Sequence, residues 1–274
     1  MSEQRTLETS IEVRATPAAV WKALTDAEEL TRWFPMEARV TPGVGGSIWT
    51  SWKDEYEDTA RIEVWEPNRR LVLASGIGAA GLPARLTVDY TIEAKHGAAG
   101  VTVLRLVHSG FGRGGDWDWE FDATKRGWSF ELRGLRHYLE RHAGKPRRVA
   151  WIRRKTDKTP EQAWTRIMGG TPGSHGLLSL KPLPTLREGD PYRFITADGE
   201  TISGEARVFG PPRDFAGTVR ELNDAYLRLR IDHPCSSGGV DRGIEINLWL
   251  SMYGATELEA EVVEHRWGML MGRA

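Results

Sequence analysis

Apolar and polar residues alternate along much of this chain, and the alternation is cut by short runs of turn-forming residues. In the first half the period-two segments are "SIEVRA" (10–15), "MEARV" (36–40), "SIWTSW" (47–52), "TARIEVW" (59–65), "RLVLAS" (70–75), "ARLTVDYTIEA" (84–94) and "VTVLRLVH" (101–108). Alternation of this kind predicts half-buried strands, and "TPGVGG", "EPN" and "KHGAAG" predict the turns between them. Two stretches follow the helical period instead. Thr16 and Pro17 read as an N-cap and first helical residue, with Val20, Trp21 and Leu24 on one face behind them. From Asp122, taken as an N-cap, Trp128, Leu132, Leu135 and Leu139 step along one face, while Lys125, Arg133, Arg136 and Glu140 take the other. This helix is expected to stop near Ala143 and Gly144, with Pro146 just beyond. One strand, a helical stretch, six strands and a long closing helix make an α+β unit with an antiparallel sheet.

The second half repeats the plan. Thr159 and Pro160 open a helix as Thr16 and Pro17 do, and Gln162 completes a capping box that the first copy lacks, having Ala19 at that place. Ala163, Trp164 and Ile167 form its apolar face. Trp164 stands 143 residues after Trp21, Pro211 stands 144 after Pro67, Gly254 stands 144 after Gly110, and Trp267 stands 139 after Trp128. Ordered matches at near-constant spacing point to a duplicated domain, the alternative being chance similarity between amphipathic segments. The expected domains are 1–145 and 146–274. Strands are readable in "YRFITA", "ISGEARVF", "FAGTVREL", "AYLRLRID" and "IEINLWLSMY", and a shorter last helix over about Glu257 to Met271. "TPGSHGLLSLKPLPTLREGD" (171–190) is too rich in Gly and Pro for the second helical element, so the copy is degenerate and is expected to pack or mediate assembly rather than hold a ligand. "KPRRVAWIRRK" (145–155) reads as a linker and a strand through Val149, Ala150, Trp151 and Ile152, in preference to a basic nucleic-acid patch.

Composition narrows the partners. The 274 residues are 40% hydrophobic and 27% charged, and 37 Lys and Arg against 38 Asp and Glu leave no field that would draw a nucleic acid or an anionic membrane. No apolar run is long enough to span a bilayer, and "MSEQRTLETS" lacks the features of a signal peptide, so the expected location is the cytoplasm. A single cysteine, Cys235, excludes an internal disulfide.

Five segments then carry a resemblance: "SIEVRATPAAVWKALTDAEELTRWF", "PGVGGSI", "ARIEVWEPNRRLVL", "TVLRLVHSGF" and "GWSFELRGLRHYLE". In this order they resemble the START-like (SRPBCC) superfamily, in its branch homologous to the activator of the heat-shock protein 90 ATPase. The likeness covers about residues 5 to 145. It implies a helix-grip fold, here in two tandem copies, in which a curved antiparallel sheet holds the last helix over an apolar cavity. The ligand-lining residues it implies are Trp33, Phe34, Trp49, Ile62, Tyr90, Leu104, Leu106, His108, Trp128, Leu132 and Leu135. Plain core packing stays open for the tryptophans, whose number, 12, exceeds that of Phe or Tyr.

Chemistry is sparse. His108 shares a face with Thr102, Leu104 and Leu106 and would be a general acid or base, or else an anchor of the turn "HSGFG"; the absence of an assignable acidic partner favours the anchor. "GFGRGG" (110–115) lacks the lysine of a phosphate loop, and "DWDWEFD" (116–122) complements the positive end of a helix more readily than it binds Ca²⁺. Cys235 with His233 is too little for zinc. No catalytic residue, metal or cofactor is assigned. The expected function is binding of a small apolar or amphipathic molecule by the first domain. A protein-binding, co-chaperone-like module and a cyclase- or hydratase-like enzyme are the alternatives, and a protein partner or homo-oligomer stays open.

Overall fold

The computed structural model describes residues 4–53, 56–77, 83–169, 176–179, 184–232 and 243–273. Two compact units divide the chain near Gly144 and Lys145.

In the first unit, strand β1 (Arg5–Val13) is followed by helices α1 (Pro17–Thr25) and α2 (Ala27–Thr31), strands β2 (Glu37–Thr41), β3 (Ser47–Ser51), β4 (Glu57–Glu66), β5 (Arg70–Ile77), β6 (Pro83–Ala94) and β7 (Thr102–Phe111), and helix α3 (Asp116–Arg141). All seven strands form one antiparallel sheet in the order β1-β7-β6-β5-β4-β3-β2, so every connection after β2 is to a neighbour and β1 closes beside β7. Thr16 caps α1 as its sequence suggests, its hydroxyl accepting the Ala19 N–H at 3.2 Å. Asp26 ends α1 and caps α2, accepting the Glu29 N–H at 2.9 Å.

The last helix begins six residues earlier than its expected cap. Gly115 occupies the N-cap position, and Asp122 lies inside the helix, 3.7 Å from Arg126 one turn on. "DWDWEFD" is thus the first two turns of α3 rather than an approach to it. Gly114 and Gly115 both have positive φ, which lets the chain reverse sharply from β7 into the helix. The far end agrees with expectation: Gly144 adopts φ 79° just past the helix.

In the second unit β8 (Arg147–Thr156), α4 (Pro160–Met168), β9 (Pro191–Ile195), β10 (Thr201–Gly210), β11 (Asp214–Val219), β12 (Ala225–Asp232), β13 (Ile244–Tyr253) and α5 (Glu257–Met271) follow the same plan with, among the described residues, one strand fewer. Its sheet order is β8-β13-β12-β11-β10-β9. The basic run at 145–155 is indeed a strand. Thr159 and Gln162 form the capping box of α4. In "TPGSHGLLSLKPLPTLREGD" the described positions contain no helix, and the rest of that segment, like His233 and Cys235, lies outside the described residues.

The duplication is visible in a detail finer than strand order. The pairing of β4 with β5 shifts register between Ile62 and Val64, and that of β10 with β11 shifts between Ala206 and Val208, the same bulge 144 residues on. A bulge bends and twists its strand locally, and its recurrence in both copies at one offset is hard to reconcile with chance similarity.

The second unit has filled its own centre. Trp164 and Ile167 of α4 and Ala260, Val263, Trp267 and Leu270 of α5 pack with Phe194, Phe215, Leu227 and Leu248 of the sheet in one buried cluster. Tyr192, Phe194 and Phe215 touch ring to ring at 4.5 to 5.3 Å.

Candidate functional site

The concave face of the first sheet is set by register. On β7, Leu104, Leu106 and His108 alternate with Val103, Arg105 and Val107, and their partners Ile11, Thr9 and Leu7 on β1 and Ile92, Tyr90 and Val88 on β6 lie on the same side. On β3 and β4 the same side carries Ile48, Thr50, Asp58 and Ile62, since Thr50 pairs with Asp58 and Ile62 with Leu73. Ile62, Leu104, Leu106 and Leu135 are fully buried, and Tyr90 and Leu132 nearly so.

Trp128 is the centre of this face. Its indole N–H donates to Nδ1 of His108 at 3.0 Å, and its ring stacks on Phe34 at 5.8 Å and meets Tyr90 edge-on at 6.1 Å. An indole N–H needs a partner when buried, and His108 supplies it. Because Nδ1 accepts, the imidazole proton sits on Nε2. Burial pushes the His108 pKa down to about 4, so the ring is neutral at physiological pH. No neighbouring charge contributes to that shift. His108 is therefore an acceptor that positions Trp128, packed 4.6 Å from Phe111 beside the turn.

A run of rings leads from half-buried positions to this centre. Tyr56 lies 5.9 Å from Trp52, Trp52 meets Phe34 edge-on at 5.0 Å, and Phe34 stacks on Trp128. Tyr56, Trp52 and Phe34 are half-buried, whereas Trp128 and Tyr90 are buried. Phe34 is held in place from behind. Trp33 stacks on it at 5.0 Å and donates its own N–H to the Ala23 carbonyl at 2.8 Å, which ties the end of the α1–α2 segment together.

That segment is also pinned to α3. Tyr138 donates to Glu29 Oε2 at 2.6 Å and accepts from the Gly144 N–H at 3.0 Å, while Arg32 and Lys22 donate to Glu29 Oε1 at 2.7 and 3.1 Å. Burial, followed by the bond to Glu29, holds the Tyr138 phenol above its usual range.

Asp58 and Glu131 bring carboxylates to this face. Asp58, next to Trp52 and Tyr56 in the β3–β4 hairpin, has its carboxyl pushed up by burial against the opposing pull of the Thr59 N–H. Glu131 lies between Trp128 and Leu135 on the inward stripe of α3, with Oε2 shielded from solvent. After burial, its charge is the second cause raising the Tyr90 phenol.

Sequence reasoning misplaced Trp49. It pairs with Arg39, whose guanidinium stacks over the indole at 4.4 Å, on the face opposite Ile48 and Thr50, so it does not face the interior. It also overlooked Trp52, Tyr56, Asp58 and Glu131. Their signal was present: positions 48, 50 and 52 and positions 56, 58, 60 and 62 keep period two, and Glu131 follows Trp128 by three. Trp52 reads only as the end of the strand 47–52, and a charged residue on a helix reads by default as surface.

The described residues of the second copy do not repeat the bond between Trp128 and His108. Met252 stands 144 residues after His108, and the Trp267 indole donates instead to Glu200 at 3.3 Å. A separate cleft of about 510 Å³ lies there between β8 and α5, lined in part by Trp151, Arg154, His265 and Met269.

Residues 14–140 match the family model described as activator of Hsp90 ATPase homolog 1-like protein (AHSA1). Over this span, a little under half of the chain, the first unit is similar to this family. The matched span of this AHSA1-like domain begins just after β1 and ends in the last turn of α3. Among solved structures, the chain is similar to protein MLL2253 from Mesorhizobium loti, at 23% identity over 50% of this chain and 98% of that one, with a TM-score of 0.44. It is similar to the Aha1 dimer from Colwellia psychrerythraea, at 18% identity over 51% and 99%, TM-score 0.43. Along nearly its whole length, 98% against 97%, it is similar to the di-domain ARO/CYC BexL from the BE-7585A biosynthetic pathway, at 16% identity and TM-score 0.45. No curated protein matches the chain. Among the described residues no helix is long and apolar enough to cross a membrane.

Proposed function

We propose that the AHSA1-like domain binds a small apolar or amphipathic molecule between α3 and the concave face of its sheet. The observation that carries this reading is the continuous ring path from Tyr56 and Trp52 through Phe34 to Trp128. Half-buried aromatics contacting buried ones offer a ligand broad apolar walls with a few polar handles, the usual composition of a small-molecule site. The enzyme reading is weaker, because the one histidine on this face is neutral, engaged by Trp128 and without a charged neighbour to activate it.

Native mass spectrometry of freshly purified protein, followed by denaturing extraction, tests the proposal. A discrete released small molecule, lost in Phe34→Ala, supports it. A protein that carries no small molecule, takes up no apolar probe and instead holds a stoichiometric protein partner overturns it.

A further inference from the structure

The ring path has a charge at its outer end. Thr50 and Asp58 are register partners on the concave side, and the same alternation brings Trp52 and Tyr56 to that side of the β3–β4 hairpin. Asp58 forms no ion pair with any described residue, although burial works against its negative charge. The strands contribute one basic residue to this face, Arg5, at the opposite edge of the sheet and bonded to Asp118 at 2.6 Å. Glu131 stands deeper in, on the inward stripe of α3, three residues after Trp128. The outer end of the face is therefore both acidic and aromatic.

We infer that the ligand is an amphipathic organic cation, an ammonium head held between Asp58 and the Trp52 and Tyr56 rings with its apolar body lying along Phe34 toward Trp128. The electron-rich faces of indole and phenol attract a cation, most strongly where it is partly desolvated, and a carboxylate beside them adds direct ion pairing. An anionic head in the same place would face Asp58 without a described basic residue to offset it, and a neutral head would leave the carboxylate without a counter-charge. This inference rests on the proposed binding of a small molecule at this face.

The test is titration calorimetry of the full chain with three probes that share one tail: octyltrimethylammonium, 1-octanol and octyl sulfate. The expected order is octyltrimethylammonium tightest, by tenfold or more over 1-octanol, with octyl sulfate weakest. Asp58→Asn is expected to remove most of that preference by weakening the ammonium probe, with an unchanged urea-unfolding midpoint reporting an intact fold; Trp52→Leu is expected to weaken the ammonium probe more than the alcohol. Equal affinities for the ammonium and the alcohol, tighter binding of the sulfate, or a preference untouched by Asp58→Asn would each overturn the cation inference and leave the binding reading standing. Failure of all three probes to bind would overturn both.

Discussion

The Trp128 indole N–H and His108 Nδ1 lie 3.0 Å apart across the space between α3 and β7, and this bond holds helix to sheet at the middle of the AHSA1-like domain. It satisfies two buried polar groups at once, and it fixes which way the largest ring of the interior points.

Removing the donor while keeping an aromatic ring separates bonding from packing. Trp128→Phe leaves Nδ1 of His108 without its indole partner and is expected to cost about 1–3 kcal/mol, whereas Trp128→Ala, which also opens a cavity, costs about 3–5 kcal/mol. Urea unfolding of the two variants gives both numbers, and a cost near zero for Trp128→Phe would show that the bond contributes nothing.

The depressed pKa of His108 carries a pH dependence of definite sign. The unfolded chain takes up this proton near its ordinary value of about 6.5, whereas the folded chain resists it down to about 4. Between those values the unfolded state binds more protons, so this group's effect on stability is full loss below pH 4, partial loss from 6.5 downward and none above. The total is at most about 3 kcal/mol. His108→Gln can still accept from Trp128 but does not titrate. The difference in unfolding free energy between the wild type and this variant is therefore expected to shrink or reverse in favour of Gln as pH falls from 7 to 4.5, and a pH-independent difference would refute the assignment.

Tyr138 and Glu29 join α3 to the α1–α2 segment through a bond of 2.6 Å to a carboxylate. Tyr138→Phe is expected to destabilise by about 1–3 kcal/mol, since a charge-assisted bond is lost and the Gly144 N–H also loses its acceptor. Hydrogen exchange should show the loss concentrated in residues 17–31 and at the end of α3, not in the sheet.

Gly110 has φ 102°, and a Cβ there would stand 2.2 Å from the Arg85 carbonyl oxygen on the neighbouring strand. Gly110→Ala meets both a steric clash with backbone and an unfavourable φ, so β6 and β7 must separate locally. A large fall in thermal midpoint with faster exchange in those two strands is the expected result; a midpoint within error of wild type would show the approach to be looser than drawn.

Trp49 and Phe34 provide a paired test of which face is used. Trp49→Ala removes a ring stacked by Arg39 on the outer side and should leave ligand retention unchanged, whereas Phe34→Ala breaks the path to Trp128 and should reduce it tenfold or more. Loss of binding in both variants to the same degree would place the ligand elsewhere.

Much of this architecture was legible before any coordinates. Strands announce themselves by period two and helices by caps, both of which depend on neighbours within a few residues, so Thr16, Thr159 and the strand segments were readable as written. The start of α3 was misread because Asp122 resembles a cap, while the true cap, Gly115, has no side chain to advertise it.

By itself, the sequence determined the order of elements, the duplication and the apolar stripe of α3, because local propensity and patterning set these. Only the tertiary structure decided that Trp49 faces outward while Trp52 and Asp58 share the side of Ile62, and that His108 bonds Trp128 rather than titrating. Each of these depends on strand register or on contacts between residues 20 or more positions apart in the chain, and a pattern read along one dimension does not contain which side chains meet when the sheet closes around its helix.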